Sequence, residues 1–196
     1  MYICTYKYIN MSIISRLEND RIKVVKELLK DPRFDPSEQN NQIIRTSSVD
    51  GHTNVVKMLL QDPRVDPSDL DNWAIRLSSE NGHLEVVKLL LQDPRVNPSG
   101  CNNYAIIVSS KNGHIDVVRE LLKDPRTDPS DFNNYAIKFS SENGHIEVLH
   151  ELLKDYRINK QKLLDSDIND ELRNEILDYL NEVRNSSIDK VLNTEI

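Results

Sequence analysis

The chain has 196 residues, 38% of them hydrophobic and 29% charged, with a formal net charge of -7 and a mean hydropathy of -0.56. So acidic a chain lacks the basic surface that a phosphate backbone demands, which excludes nucleic acid as a partner. Cys4 and Cys101 are its only cysteines, so there is neither a disulfide framework nor a cysteine metal spacing, and no stretch approaches the ~20 apolar residues of a membrane span.

Residues 1–10, MYICTYKYIN, carry Lys7 inside their apolar run and are expected to be a leader rather than a signal peptide, with either Met1 or Met11 as the start. From Met11 onward the chain copies itself. Gly-His recurs at Gly51-His52, Gly82-His83, Gly113-His114 and Gly144-His145, always 31 residues apart, and Asp-Pro-Arg begins at Asp31, Asp62, Asp93 and Asp124 with the same step. A fixed step of this size is the signature of a stacked-repeat array. The units are 11–41, 42–72, 73–103, 104–134 and 135–165. The first is degenerate, with Asp20 and Arg21 in place of Gly-His, as a terminal repeat facing solvent should be.

Each later unit is preceded by Asn41, Asn72, Asn103 or Asn134, expected to be helix N-caps. The first helix carries Ala74, Ile75, Ser78 and Ser79 at i, i+1, i+4, i+5, where small serines admit a close neighbour. Gly51, Gly82, Gly113 and Gly144 then fall where a helix ends in a left-handed residue. The second helix, about 84–92, repeats the stripe with Val86, Val87, Leu90 and Leu91, matched by Val117, Val118, Leu121 and Leu122. All eight prolines lie in the loops that follow, each removing a backbone donor, so the loops should be stiff and weakly paired. In the fifth unit Tyr156 and Lys160 replace the two prolines, and the array is ending. Residues 166–196 hold a capping helix and a tail. Leu172, Ile176, Leu177 and Leu180 mark its apolar face, with Asp167 or Asn169 as the cap.

The unit resembles an ankyrin repeat. Trp73-Ala74-Ile75-Arg76 stands where that family has Thr-Pro-Leu-His, Ser78-Ser79 where it has two alanines, and Gly82-His83 where it has its own Gly-His. The resemblance covers residues 11–165, with a 31-residue step against the family's usual 33, and with an Asp-Pro-Arg loop in place of a glycine-containing hairpin. The expected fold is an all-α, ankyrin-like solenoid of about five helix-turn-helix repeats with short or degraded hairpin loops and a C-terminal capping helix. Its asparagine, isoleucine and lysine content and its Asp-Pro-Arg loop are similar to ankyrin arrays of amoebae and of their large DNA viruses. The resemblance assigns His52, His83, His114 and His145 a structural role, tying each helix pair to the adjoining loop. It also points to loop tips and first-helix surfaces as the partner face.

Chemistry finds no footing in the pattern. Equivalent histidines in stacked repeats lie ~10 Å apart, too far to share an ion. Ser78, Ser79 and His83 recur without an orienting carboxylate, and there is no phosphate loop. No catalytic residue, metal or cofactor is expected. The arginines at Arg33, Arg64, Arg95, Arg126 and Arg157 are read as partners of nearby aspartates, and Trp73, Tyr104 and Tyr135 as half-buried spacers. The informative positions are those where copies differ. Leu70, Cys101 and Phe132 share a loop register with Gln39, and Val49, Glu80, Lys111 and Glu142 share one near the end of the first helix. These seven are the candidate partner-binding residues of a non-catalytic, monomeric scaffold that binds another protein and neither nucleic acid nor membrane, in the cytoplasm of its cell or, for a viral protein, of the host. Residues 168–180 also resemble the first helix of an F-box, through Ile168, Glu171, Leu172, Ile176, Leu177 and Leu180, with Asn169 in place of proline. That resemblance implies an alternative, a ubiquitin-ligase adaptor.

Overall fold

The computed structural model describes residues 18–194, so the expected leader and the start of unit 11–41 lie outside the described residues. The chain divides into two compact units, Met1–Asn97 and Pro98–Ile196. The first holds α1 (Glu18–Lys30), α2 (Glu38–Val49), α3 (Thr53–Leu60), α4 (Asp69–Glu80) and α5 (Leu84–Gln92). Here α2 packs on α4, α3 packs between α1 and α5, and each first helix folds back on its own second helix, giving two layers. Without a glycine at Asp20-Arg21, α1 runs on through the position where later repeats turn.

The second layer is held by the aliphatic stripe. Val55, Val56 and Leu59 of α3 and Val86, Val87 and Leu90 of α5 are buried, while Leu91 is half-buried at the margin. Full burial of such side chains stabilises by roughly 1.5 to 3 kcal/mol each. Ala74, Ile75, Ser78 and Ser79 of α4 are buried against α2, as their small size predicts. The glycine reading also holds. Gly51 has φ +72°, its N–H donates to Ser48 O at 3.3 Å, and His52 N–H donates to Ser47 O at 2.9 Å. These two bonds satisfy the last carbonyls of α2 in the Schellman arrangement.

The second unit holds α6 (Gly100–Lys111), α7 (Ile115–Leu122), α8 (Asp131–Glu142), α9 (Ile146–Lys154), α10 (Lys160–Leu164) and α11 (Asp170–Thr194). It repeats the two layers, α6 on α8 and α7 on α9, and α11 closes over α8 and α10.

The loops depart from expectation. Among the described residues there is no strand, so no β-hairpin joins the repeats. Instead three successive residues are left-handed in each: Gln39 to Asn41, Leu70 to Asn72, Cys101 to Asn103 and Phe132 to Asn134, all with φ between 49° and 61°. For residues other than glycine this conformation costs roughly 1 to 2 kcal/mol each, least for asparagine. Nor are the asparagines side-chain N-caps. Asn41 is buried, its Oδ1 accepts from Asp66 N–H at 2.7 Å, and its Nδ2 donates to Asp69 Oδ2 at 2.8 Å. Asn103 makes the same pair of bonds, with Asp128 N–H and Asp131 Oδ2. The amide thus reaches into the next repeat instead of its own helix.

The loops are also densely paired, where proline content suggested the opposite. Asp62 accepts from Arg64 N–H, Asp66 accepts from both Ser68 N–H and Ser68 Oγ, and Asn72 N–H reaches Ser68 O at 2.7 Å. Prolines remove donors, and the donors that remain converge on two aspartates. Pro36, Pro67, Pro98 and Pro129 are buried while their partners Pro32, Pro63, Pro94 and Pro125 are exposed.

At the C-terminal end Asn169 is the cap, its Oδ1 accepting from Leu172 N–H at 2.8 Å. Leu172, Ile176 and Tyr179 form the buried stripe of α11, whereas Leu177 is 43% exposed and so lies off the predicted face. The helix is rotated by two contacts that its hydrophobic pattern does not encode. Ser141 Oγ donates to Glu175 Oε2 at 2.6 Å, and Tyr179 stacks 5.3 Å from His150.

Candidate functional site

The repeated motifs resolve first into clamps between neighbouring repeats. Arg64 pairs with Asp62 through Nε and Nη2, and its remaining donors reach back one repeat, Nη1 to Phe34 O at 2.9 Å and Nη2 to Leu29 O at 3.1 Å. Arg95 does the same toward Val65 O, and Arg157 toward Thr127 O and Leu122 O. The hydrogen bond from its arginine holds each loop carboxyl below the usual range, Asp62 through Arg64 and Asp93 through Arg95, and Asp31 falls to about 2 through Arg33. The arginine ladder is therefore internal.

The Gly-His pairs are joints of the same kind. His83 Nε2 donates to Val49 O at 2.8 Å, and its ring lies so close to Gly51 that a Cβ there would meet Nδ1 at 2.6 Å. Gly113 stands in the same relation to His145. His52 lies beside Arg21, the residue that replaces the first repeat's histidine. His114 sits at the same register with its ring half-buried, and Gly82 has the left-handed φ of its three counterparts.

Beside the clamps and joints, the candidate residues lie on the outer face of the first helices and in the left-handed turns before them. Leu70 and Phe132 are 44% and 51% exposed, and Cys101 is an exposed free thiol. Each is the first left-handed residue of its turn, and Gln39, the fourth copy, is exposed as well. Val49, Glu80, Lys111 and Glu142 end the same helices, so the two candidate sets lie at opposite ends of about 12 Å of helix.

In the second unit a line of side chains joins those ends. Phe132 meets Tyr135 edge-on with centroids 4.7 Å apart, Tyr135 meets Phe139 at 5.2 Å, and Lys111 of α6 stands 5.7 Å over the Phe139 ring. Tyr135, Lys138, Phe139 and Glu142 follow i, i+3, i+4, i+7, the stripe opposite the buried Ala136, Ile137, Ser140 and Ser141. Reading Tyr135 only as a half-buried spacer misses this line, because Phe139 occupies a position that other repeats fill with Thr46, Leu77 and Val108. The first unit differs. There Arg45 lies 4.7 Å over Trp73 and folds onto Asn40 O and Gln39 O, while Arg76 reaches Leu70 O. Those cations steady the left-handed turns, and the second unit has Ile107 and Lys138 in their place.

An open cleft of about 300 Å³ lies over the two Gly-His turns of the second unit, lined by Gly113, Ile115, His145 and Glu147 among others. One imidazole and one carboxylate are its only ionisable groups. Among the described residues no three His, Cys, Asp or Glu side chains cluster as a metal site requires, and no helix is long and apolar enough to cross a membrane. The F-box-like residues Leu172 and Ile176 are buried beneath the C-terminal helix.

Helix pairs stacked within each unit, and joined there by clamps at a fixed register, define a helical repeat protein. The model of the family described as Ankyrin repeats (3 copies) matches residues 12–99 and again 74–162. The chain belongs to the ankyrin-repeat family, whose members are generally protein-protein interaction modules. No curated protein matches it significantly.

Proposed function

We propose that the chain binds a protein partner through its first-helix surfaces and the left-handed turns that precede them, and that it serves as a scaffold without chemistry of its own. The observation that carries this reading is the continuous line Phe132, Tyr135, Phe139, begun by a phenylalanine 51% exposed on a backbone conformation that disfavours it. An exposed phenylalanine continued by half-buried aromatic rings on a rigid element supplies contact area at small entropic cost, and aromatic residues dominate interface energies. The family's general role agrees with it.

The test replaces Leu70, Cys101 and Phe132 together by Gln, the residue that Gln39 already places in this register. Affinity capture from the source cell, read by mass spectrometry, should lose the proteins specific to the unaltered chain. Stability should change by only ~0.5 kcal/mol per site, as for exposed positions generally. Equal recovery of the same proteins by both forms would remove these turns from the binding face.

A further inference from the structure

We infer that the segment seated on the first-helix face of Pro98–Ile196 is an acidic one, a stretch of peptide carrying Asp or Glu beside apolar side chains; this rests on the proposal that the face binds protein. The chain as a whole carries -7, yet this face sets two lysines on the helices that bear its run of aromatic rings.

On or just after the second helices three lysines are neutralised locally, Lys57 of α3 being the exception. Lys88 pairs with Glu85 at 2.7 Å, Lys123 with Glu120 at 2.7 Å and Lys154 with Glu151 at 3.1 Å, each three residues apart. The loop arginines are held by their own aspartates. Lys111 and Lys138, on α6 and α8, make no ion pair with any described residue. The carboxylate best placed to quench Lys138 is Glu142, one turn further along α8, and it is not paired with it. Asp131, at the start of α8, already accepts from Asn103 Nδ2 and from Phe132 N–H.

Two lysines without an ion pair thus lie on the helices that carry the aromatic rings, and Lys111 stands over one of those rings. A ligand carboxylate could replace the water around either cation while its neighbouring apolar side chains cover Phe132, Tyr135 and Phe139. A basic segment would meet like charge, and a neutral apolar one would desolvate both lysines without return. The surrounding acidic surface would further repel any partner whose negative charge were not confined to the contact.

The experiment is selection from an unbiased display library of linear peptides on the full chain. Recovered binders are then measured against the unaltered chain, Lys111→Glu with Lys138→Glu, and Phe132→Gln. Enrichment of Asp or Glu beside Leu, Phe or Met is expected. Affinity should fall roughly tenfold on charge reversal and weaken further with added salt, as complementary pairs at an interface do. Peptides whose Asp and Glu are replaced by Asn and Gln should lose the same factor on the unaltered chain and lose nothing further on the reversed one. Binders that respond to Phe132→Gln but not to charge reversal overturn the acidic assignment and leave the face intact. Binders indifferent to both changes, or no enrichment at all, overturn the face itself.

Discussion

Repeat 104–134 and repeat 135–165 share one plan but end differently, and the difference separates what a repeat needs for itself from what its neighbour demands. Both carry the Gly-His turn, yet a Cβ at Gly113 would strike the His145 ring at 2.6 Å while one at Gly144 would meet nothing within 4 Å. Both bury a second serine. Ser110 Oγ has no hydrogen-bond partner, whereas Ser141 Oγ is taken up by Glu175 of the capping helix. The loop that closes repeat 104–134 has its prolines and its left-handed turn. The loop that closes 135–165 has neither, and Asn159 caps the short α10 there. What survives in both is the Asp-x-Arg clamp, and Arg157 is only 16% exposed at that end. Conformational demands of a single turn persist to the last repeat, while demands set by a following repeat vanish with it.

The comparison breaks most visibly at the cap. Leu172→Asp with Ile176→Asp places two carboxylates where both side chains are buried, and should destabilise repeat 135–165 by about 4 kcal/mol or more. Thermal circular dichroism and amide exchange in α8 and α9 will report it. A melt and an exchange pattern like those of the unaltered chain would mean that α11 is not a cap. Next in size is the glycine pair. Gly144→Ala should cost about 1 to 2 kcal/mol from its left-handed φ alone, and Gly113→Ala clearly more, because His145 must also move. Equal losses in chemical denaturation would show that the ring yields freely. The smallest effect has the sharpest sign. Ser110→Ala should stabilise by up to about 1 kcal/mol by removing a buried hydroxyl without a partner, and Ser141→Ala should destabilise by a similar amount by stranding Glu175. The same sign at both positions would refute the account of the two serines.

Much of the fold was legible because periodicity is local. The Val-Val-x-x-Leu stripe and the Gly-His turn repeat within one helix pair, and both sit where the pattern puts them. The asparagines were legible as positions and illegible as roles. Asn41 does stand just before the right-handed part of its helix, but its amide partners, Asp66 and Asp69, lie 25 and 28 residues away, beyond any capping signature. One signal could have found them, the fact that Asn and the loop Asp or Asn return together at the 31-residue step. The rotation of α11 was hidden for a related reason. Its hydrophobic pattern admits Leu177 or Tyr179, and only Ser141 and His150, on other helices, decide between them. Of the candidate face, Leu70, Cys101 and Phe132 were visible as positions where copies disagree. The aromatic line was not, since Phe139 belongs to it only by virtue of Tyr135 and Lys111.

The clamps also set how the molecule would carry a load. Within each unit Arg64, Arg95 and Arg157 reach back one repeat and no further, and Asn41, Asn103 and His83 span the same single step. Tension applied along either unit is therefore borne in series, through joints of like construction. Once one joint parts, the freed repeat of 31 residues can pay out at most about 110 Å of chain before the next joint takes the strain. A unit so built behaves as a string of like fuses, lengthening by discrete amounts while the repeats still folded keep their faces intact.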